Sequence, residues 1–137
     1  MQKLLLIISL FLITVCSSCK KFIEKQKEKT VLDAMTDGRW YVFQYQTPTS
    51  DVTYEFSGYE FQFYDNGTVK GFLNTAVTDG TWSGDVNAET ITANFPSATI
   101  PVSRLNGVWK ITDSYLDAVT AYNRVGVDTN WLQLRKK

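Results

Sequence analysis

Chemistry at neutral pH usually draws on histidine, a reactive thiol, or carboxylates held at different pKa values. The 137-residue chain has no histidine, which removes the usual general base, the Ser-His dyad and the commonest metal ligand. Its two cysteines, Cys16 and Cys19, sit just after an apolar run. Carboxylate pairs such as Asp113 with Asp117, or Glu55 with Glu60, are available for acid–base work, but an acidic surface supplies such pairs by chance. No Asp-rich loop of EF-hand spacing is present, and Asp65-Asn66-Gly67 reads as a turn. The sequence predicts no enzyme, no cofactor and no metal site.

The cysteines belong to a different kind of signal. Lys3 supplies a positive start, and Leu4 to Val15 is apolar apart from Ser9 and Thr14. That run has the length of a signal-peptide core and falls short of the roughly 18 residues a membrane-crossing helix needs. Cys16-Ser17-Ser18-Cys19 follows. This arrangement resembles the lipobox of bacterial lipoproteins, in which small residues precede a cysteine that is acylated before cleavage. Cys19 fits better than Cys16, which follows the bulkier Thr14-Val15. The resemblance implies a signal peptide over 1–18 and a lipid (palmitate-type) on Cys19. It also implies a cell-envelope location, with the outer membrane favoured because Lys20-Lys21 lacks the aspartate that retains some lipoproteins at the inner membrane. An ordinary cleaved secretory signal and an uncleaved N-terminal helix are the alternatives. Acylation of Cys19 and loss of Cys16 would leave no free thiol and no disulfide within one mature chain. Two acyl chains hold a protein stably where one holds marginally.

Charge is segregated along the chain. Residues 20–29 carry five lysines against Glu24 and Glu28 and read as a charged tether of at most about 35 Å, set either against lipid phosphates or in solvent. Thr30 to Leu134 carries twelve acidic and five basic residues, and Arg135-Lys136-Lys137 closes the chain. An acidic body without a basic stripe excludes nucleic acid as a partner.

One small domain, residues 30–137, must hold any site in place. Thr30 with Asp33 is capping-box-like, Val31, Leu32 and Met35 share a helical face, and Gly38 is a natural stop, so a short helix is expected there. Everything after Gly38 has strand character. Strands are expected over 40–45, 59–64, 68–73, 90–95, 108–112, 118–122 and 131–135, with one more around Trp82. Asp65-Asn66-Gly67 predicts a hairpin, and Asp79-Gly80 and Ser83-Gly84-Asp85 predict further turns. About eight short strands with turns between them predict an all-β fold, an antiparallel barrel or sandwich. Trp40 to Tyr45 is apolar on both faces, with Tyr41, Phe43 and Tyr45 opposite Trp40 and Val42, so the short helix, a partner or a ligand must cover the outer one. Gly-x-Trp occurs at Gly38-Trp40, Gly80-Trp82 and Gly107-Trp109, each expected to be a turn glycine feeding an aromatic core plug.

Gly38-Arg39-Trp40-Tyr41, the hairpin Phe63 to Thr68, the strand start Asp79 to Trp82 and the closing Leu132-Gln133-Leu134-Arg135 together resemble the lipocalin-like domains of bacterial, Bacteroidetes-type, envelope lipoproteins. The resemblance implies a small up-and-down barrel of about eight strands. It also implies a structural signature in which Trp40, after Gly38, packs under Arg135 or Arg124. The family's long helix after the barrel has no counterpart in residues 136–137, and a compact barrel of this strand number can be filled by its own side chains. Two functions follow as expectations. The first is a membrane-anchored module binding a small, partly apolar ligand inside or at the mouth of the barrel, in a cavity of several hundred Å³ lined by some of Phe43, Tyr45, Phe61, Phe63 and Trp82. The second is an envelope protein-interaction or inhibitor module with a filled barrel, using an outer face or loop tips near Tyr41 or Tyr54.

Overall fold

The structure is a computed structural model that describes residues 20–137, except Phe22 and Glu24. The expected signal peptide, residues 1–18, and Cys19 lie outside the described residues. Backbone at 20, 21, 23 and 25–36 is helical, and residues 25–36 are α1. The helix therefore begins well before the expected start at Thr30. Lys25 to Lys29 consists of Lys, Gln and Glu, straight-chain residues that lose little rotamer freedom in a helix. Thr30 sits inside that helix, its hydroxyl donating to the carbonyl of Gln26 at 2.9 Å instead of capping a terminus. The described residues of the expected tether rise about 1.5 Å each instead of about 3.5 Å, a shorter span than an extended one. The stop is where it was expected: Gly38 has φ +77°, the left-handed geometry common just past a helix.

Eight strands follow and close into one antiparallel barrel. They are β1 (Trp40–Gln46), β2 (Glu60–Phe63), β3 (Thr68–Leu73), β4 (Ala76–Asp85), β5 (Thr90–Asn94), β6 (Gly107–Ser114), β7 (Ala118–Val125) and β8 (Asp128–Lys136). Each pairs with its neighbour in sequence, and β8 pairs with β1 from Trp40↔Lys136 to Gln46↔Trp131. Strands running up and down give the barrel two distinct ends. α1, the β2–β3, β4–β5 and β6–β7 turns and the C-terminus gather at one, the helix end. The loops 47–59 and 95–106 and the β3–β4 and β7–β8 turns gather at the other, the loop end.

The hairpin expected at Asp65-Asn66-Gly67 forms, joining β2 to β3, while two other local expectations change. The β2–β3 hairpin turns on Gly67 alone, at φ +83°. Tyr64 N–H donates to Thr68 O, and Asn66 Oδ1 accepts from the Thr68 N–H, as in a three-residue loop closed by one left-handed residue. Asp79-Gly80 and Ser83-Gly84-Asp85 do not turn at all; they lie within the ten-residue β4. A Cβ at Gly80 would meet Phe95 Cδ1 at 2.6 Å and Asn94 O at 2.7 Å, so this glycine exists to let Phe95 close against the sheet. Finally, β1 carries a bulge between Val42 and Gln44. The bulge breaks the two-residue alternation, so Val42 and Tyr45 both face the core while Phe43 and Gln44 are exposed. The two-sided apolar pattern of β1 is thus largely resolved by turning Tyr45 inward.

Each end of the core is closed by a different device. At the helix end, Met35 is buried, Val31 and Leu32 pack against the core, and Trp40 is wholly buried above them. At the loop end, two 3-10 turns, Thr53–Phe56 and Val102–Leu105, bring in Phe56, Val102 and Leu105.

Candidate functional site

The three Gly-x-Trp tryptophans all face inward. Each donates its indole N–H to a backbone carbonyl at an element end: Trp40 to Met35 O at 3.0 Å, Trp82 to Tyr64 O at 2.8 Å, and Trp109 to Leu105 O at 2.8 Å. Each thus gives a partner to a carbonyl at the edge of the apolar core, and Tyr64 O accepts from the Gly67 N–H as well, at 3.1 Å. The cation beside Trp40 is neither Arg135 nor Arg124. Lys136 Nζ lies 5.3 Å from the Trp40 ring centroid, because Lys136 is the residue paired with Trp40 across β1 and β8. Arg135, one residue earlier, points outward and stacks 3.6 Å over Phe43; Arg124 lies 5.4 Å from Tyr122.

The barrel interior is nearly full. Phe61, Phe63, Tyr45 and Trp82 all face inward and are buried, but rings in contact occupy the space: Tyr45 against Phe56 and Trp109, Phe61 against Phe95, and Phe63 against Trp82. What remains is an apolar cavity of about 40 Å³, lined by Phe61, Phe63, Trp109 and Leu132 among others. That is roughly the room one water takes in the liquid, with no free polar partner to hold one. Phe43, the fifth expected lining residue, is on the outer wall under Arg135.

The loop end is sealed by a polar clasp. Arg104 donates to both Glu55 oxygens at 2.7 and 3.1 Å, tying loop 95–106 to loop 47–59. Tyr45 reaches up from the core and donates its hydroxyl to Arg104 O at 2.9 Å. Burial pushes the Tyr45 phenol up to about 12, with Arg104 opposing the shift. Glu60 belongs to the other end. Hydrogen bonds from Lys137 and then Arg39 hold its carboxyl below the usual range. Glu55 and Glu60 therefore serve separate ion pairs and form no dyad. Asp113 and Asp117 do share a surface cleft of about 470 Å³ with Tyr41, Arg135 and Lys136, on the outer wall. Among the described residues, no three His, Cys, Asp or Glu side chains gather as a metal site.

The roomier concavity lies at the helix end. α1 crosses the barrel mouth without filling it and leaves a groove of about 740 Å³ against the ends of β4, β5 and β6. Its apolar floor is Val31 and Leu32 from α1 with Trp82, Ile91 and Ile111 from the barrel. Its rim carries Glu28, Asp85, Glu89 and Asp113 against Lys27; Glu89 is paired with Lys110 at 3.2 Å. Of the expected lining residues only Trp82 reaches this groove. Val31 and Leu32 were visible in the sequence as one apolar helical face, Ile91 lay within the strand expected over 90–95, and Ile111 carried no separate signal.

No protein-family model matches the chain, and no curated protein matches it. Among solved structures it is similar to the crystal structure of a DUF4847 family protein from Bacteroides vulgatus. That likeness has a TM-score of 0.56 at 13% identity, over 78% of this chain and 97% of the other. What the two share is the barrel. At that identity the likeness speaks for fold alone.

Proposed function

We propose that the protein is a lipid-anchored envelope module, lipocalin-like in lineage, that binds a small, partly apolar ligand at the mouth of its barrel and performs no catalysis. The carrying observation is the contrast of volumes: about 740 Å³ between α1 and the barrel rim against about 40 Å³ inside. A mostly apolar concavity with a few polar groups at its edge is the usual form of a small-molecule site. With Glu89 paired to Lys110, the remaining rim carboxylates Glu28, Asp85 and Asp113 against Lys27 favour a ligand whose polar end is neutral or cationic.

The anchor rests on the sequence of residues 1–19. Lysine-rich residues 20–29 would then lie near the lipid surface at Cys19, with outer-membrane attachment as the proposed location. Support for lipocalin-like lineage is the Gly38-x-Trp40 start, the eight-strand barrel and the cation over Trp40.

Native mass spectrometry of the chain purified from its membrane tests both parts. The expected result is a mature mass beginning at Cys19 with acyl groups attached, plus a releasable ligand that is lost in Leu32→Gln and Ile111→Gln. Absence of the acyl mass would overturn the anchor. A protein with no additional mass, and no saturable binding of neutral apolar probes, would overturn the ligand reading.

A further inference from the structure

The cleft on the outer wall shares only Asp113 with the groove, and strand register builds it across β6, β7, β8 and β1. Asp113 pairs with Thr120 and Thr120 with Gln133; in the next row Ala118 pairs with Arg135 and Arg135 with Tyr41. Asp113 joins this face because β6 is bulged between Ile111 and Asp113. Trp109 and Ile111 pack on the core, and strict alternation would send Asp113 inward after them. The short side chain of Ala118 stands among Tyr41, Tyr115 and Arg135, and the cleft they line holds about 470 Å³. Its rim is held by backbone. Tyr115 N–H donates to Ala118 O at 2.7 Å across the β6–β7 turn, and Lys136 N–H donates to Asp117 O at 2.8 Å, tying that turn to β8.

The polar groups here are left open, unlike those elsewhere on the wall. Arg39, Lys70, Arg104, Lys110, Lys136 and Lys137 each meet a carboxylate. Arg135 shares a cleft with Asp113 and Asp117 yet pairs with neither; its guanidinium lies 3.6 Å over the Phe43 ring instead. Among the described residues, the side chains of Tyr41, Asp113, Tyr115 and Asp117 also make no hydrogen bond or ion pair within the protein. Two carboxylates, a guanidinium and two phenols thus line one hollow with their hydrogen-bonding capacity unused by the chain itself.

We infer that this cleft is a saccharide-binding site, taking one or two neutral pyranose rings of a glycan. A sugar hydroxyl both donates and accepts, so neighbouring hydroxyls suit a carboxylate on one side and a guanidinium on the other. A tyrosine adds a flat apolar ring for the C–H face of a sugar and a hydroxyl at its tip. Charge selects against anions: Lys136 is engaged by Asp37, which leaves Asp113 and Asp117 against Arg135 alone. A small zwitterion such as phosphoethanolamine would satisfy the charges but leave both tyrosine rings unused. The volume lies within the usual range for small-ligand sites. Rigid strands and a pinned turn present the groups, so little ordering cost opposes binding. The site depends neither on a ligand in the groove nor on the lipid anchor.

The test is an array of neutral and acidic glycans, probed with the full chain in lauryldimethylamine oxide, a detergent that carries no sugar. The expected result is binding to neutral glycans that share one terminal unit, weakened about tenfold by Asp117→Asn and by Tyr115→Ala. Neither side chain has a partner within the protein, so the melting temperature should not move, which separates lost binding from lost folding. Tyr54→Ala is the control, because Tyr54 is 74% exposed at the loop end, and it should bind as the wild type does. No binding above background, binding of acidic glycans alone, full binding by Asp117→Asn or Tyr115→Ala, or an equal loss in Tyr54→Ala would each overturn the proposal. Displacement of the glycan by phosphoethanolamine at matched concentration would overturn it too. Leu32→Gln, which disables the groove, should leave array binding intact, so the two readings fail separately.

Discussion

The two ends of this barrel solve one problem, covering an apolar core, by opposite means. At the loop end, covering is done by chain already committed to the barrel. Loops 47–59 and 95–106 fold over the opening, and the Arg104–Glu55 clasp and the Tyr45 hydroxyl fasten them. At the helix end, the cover is a separate element, α1, held by Val31, Leu32 and Met35 and by the Trp40 indole. A fastened loop leaves no gap, whereas a rod laid across a round mouth leaves a groove beside it. The difference teaches that a filled barrel can still carry a roomy groove where the lid and the wall fail to match in shape.

Four substitutions would break or sharpen this contrast. Trp40→Ala should have the largest effect, about 3–5 kcal/mol, because it empties a fully buried site and strands Met35 O. Chemical denaturation would measure that loss, and far-ultraviolet dichroism should show α1 lost before the sheet. Glu55→Gln comes next. It leaves the half-buried Arg104 guanidinium without its counter-charge and should cost about 2 kcal/mol, while groove binding stays unchanged. A matching loss of groove affinity would mean the ends are coupled.

Tyr45→Phe should cost about 1 kcal/mol at neutral pH for its hydrogen bond to Arg104 O. Its pH dependence is the sharper reading. The folded-state pKa is raised from 10.0 to about 12, so the folded state holds this proton more tightly than the unfolded chain does. The corresponding stability is complete below pH 10 and is lost as pH rises towards 12. The wild type should therefore lose its advantage over Tyr45→Phe across that window in alkaline melting curves. Lys136→Met should have the smallest effect, about 0.5 kcal/mol. It removes a cation over Trp40 and an ion pair with the mostly exposed Asp37.

The period-2 patterns and turn residues were enough to locate the strands, because alternating burial writes itself directly into residue order. They failed where one residue served another element. Gly80 looks like a turn in sequence, yet its missing side chain makes room for Phe95, fifteen positions later. The β1 bulge inserts one unpaired residue that no local pattern announces, and it moved Tyr45 from the outer face to the core. The partner of Trp40 was missed by one position, since a single step along β8 exchanges the inner for the outer face. The candidate site was less legible than the fold. Its groove exists only where α1 meets the rims of β4, β5 and β6, and no stretch of sequence records that gap.

Trp82 and Trp109 offer the most direct test, since Trp82 lines the groove and Trp109 lines the internal cavity. Their indole N–H resonances, assigned with the two Trp→Phe variants, can be followed as a neutral apolar probe such as N-phenylnaphthylamine is added. If the ligand sits in the groove, Trp82 shifts saturably with Trp109 unmoved. A saturable shift of Trp109, or no shift of either, would contradict binding in the groove.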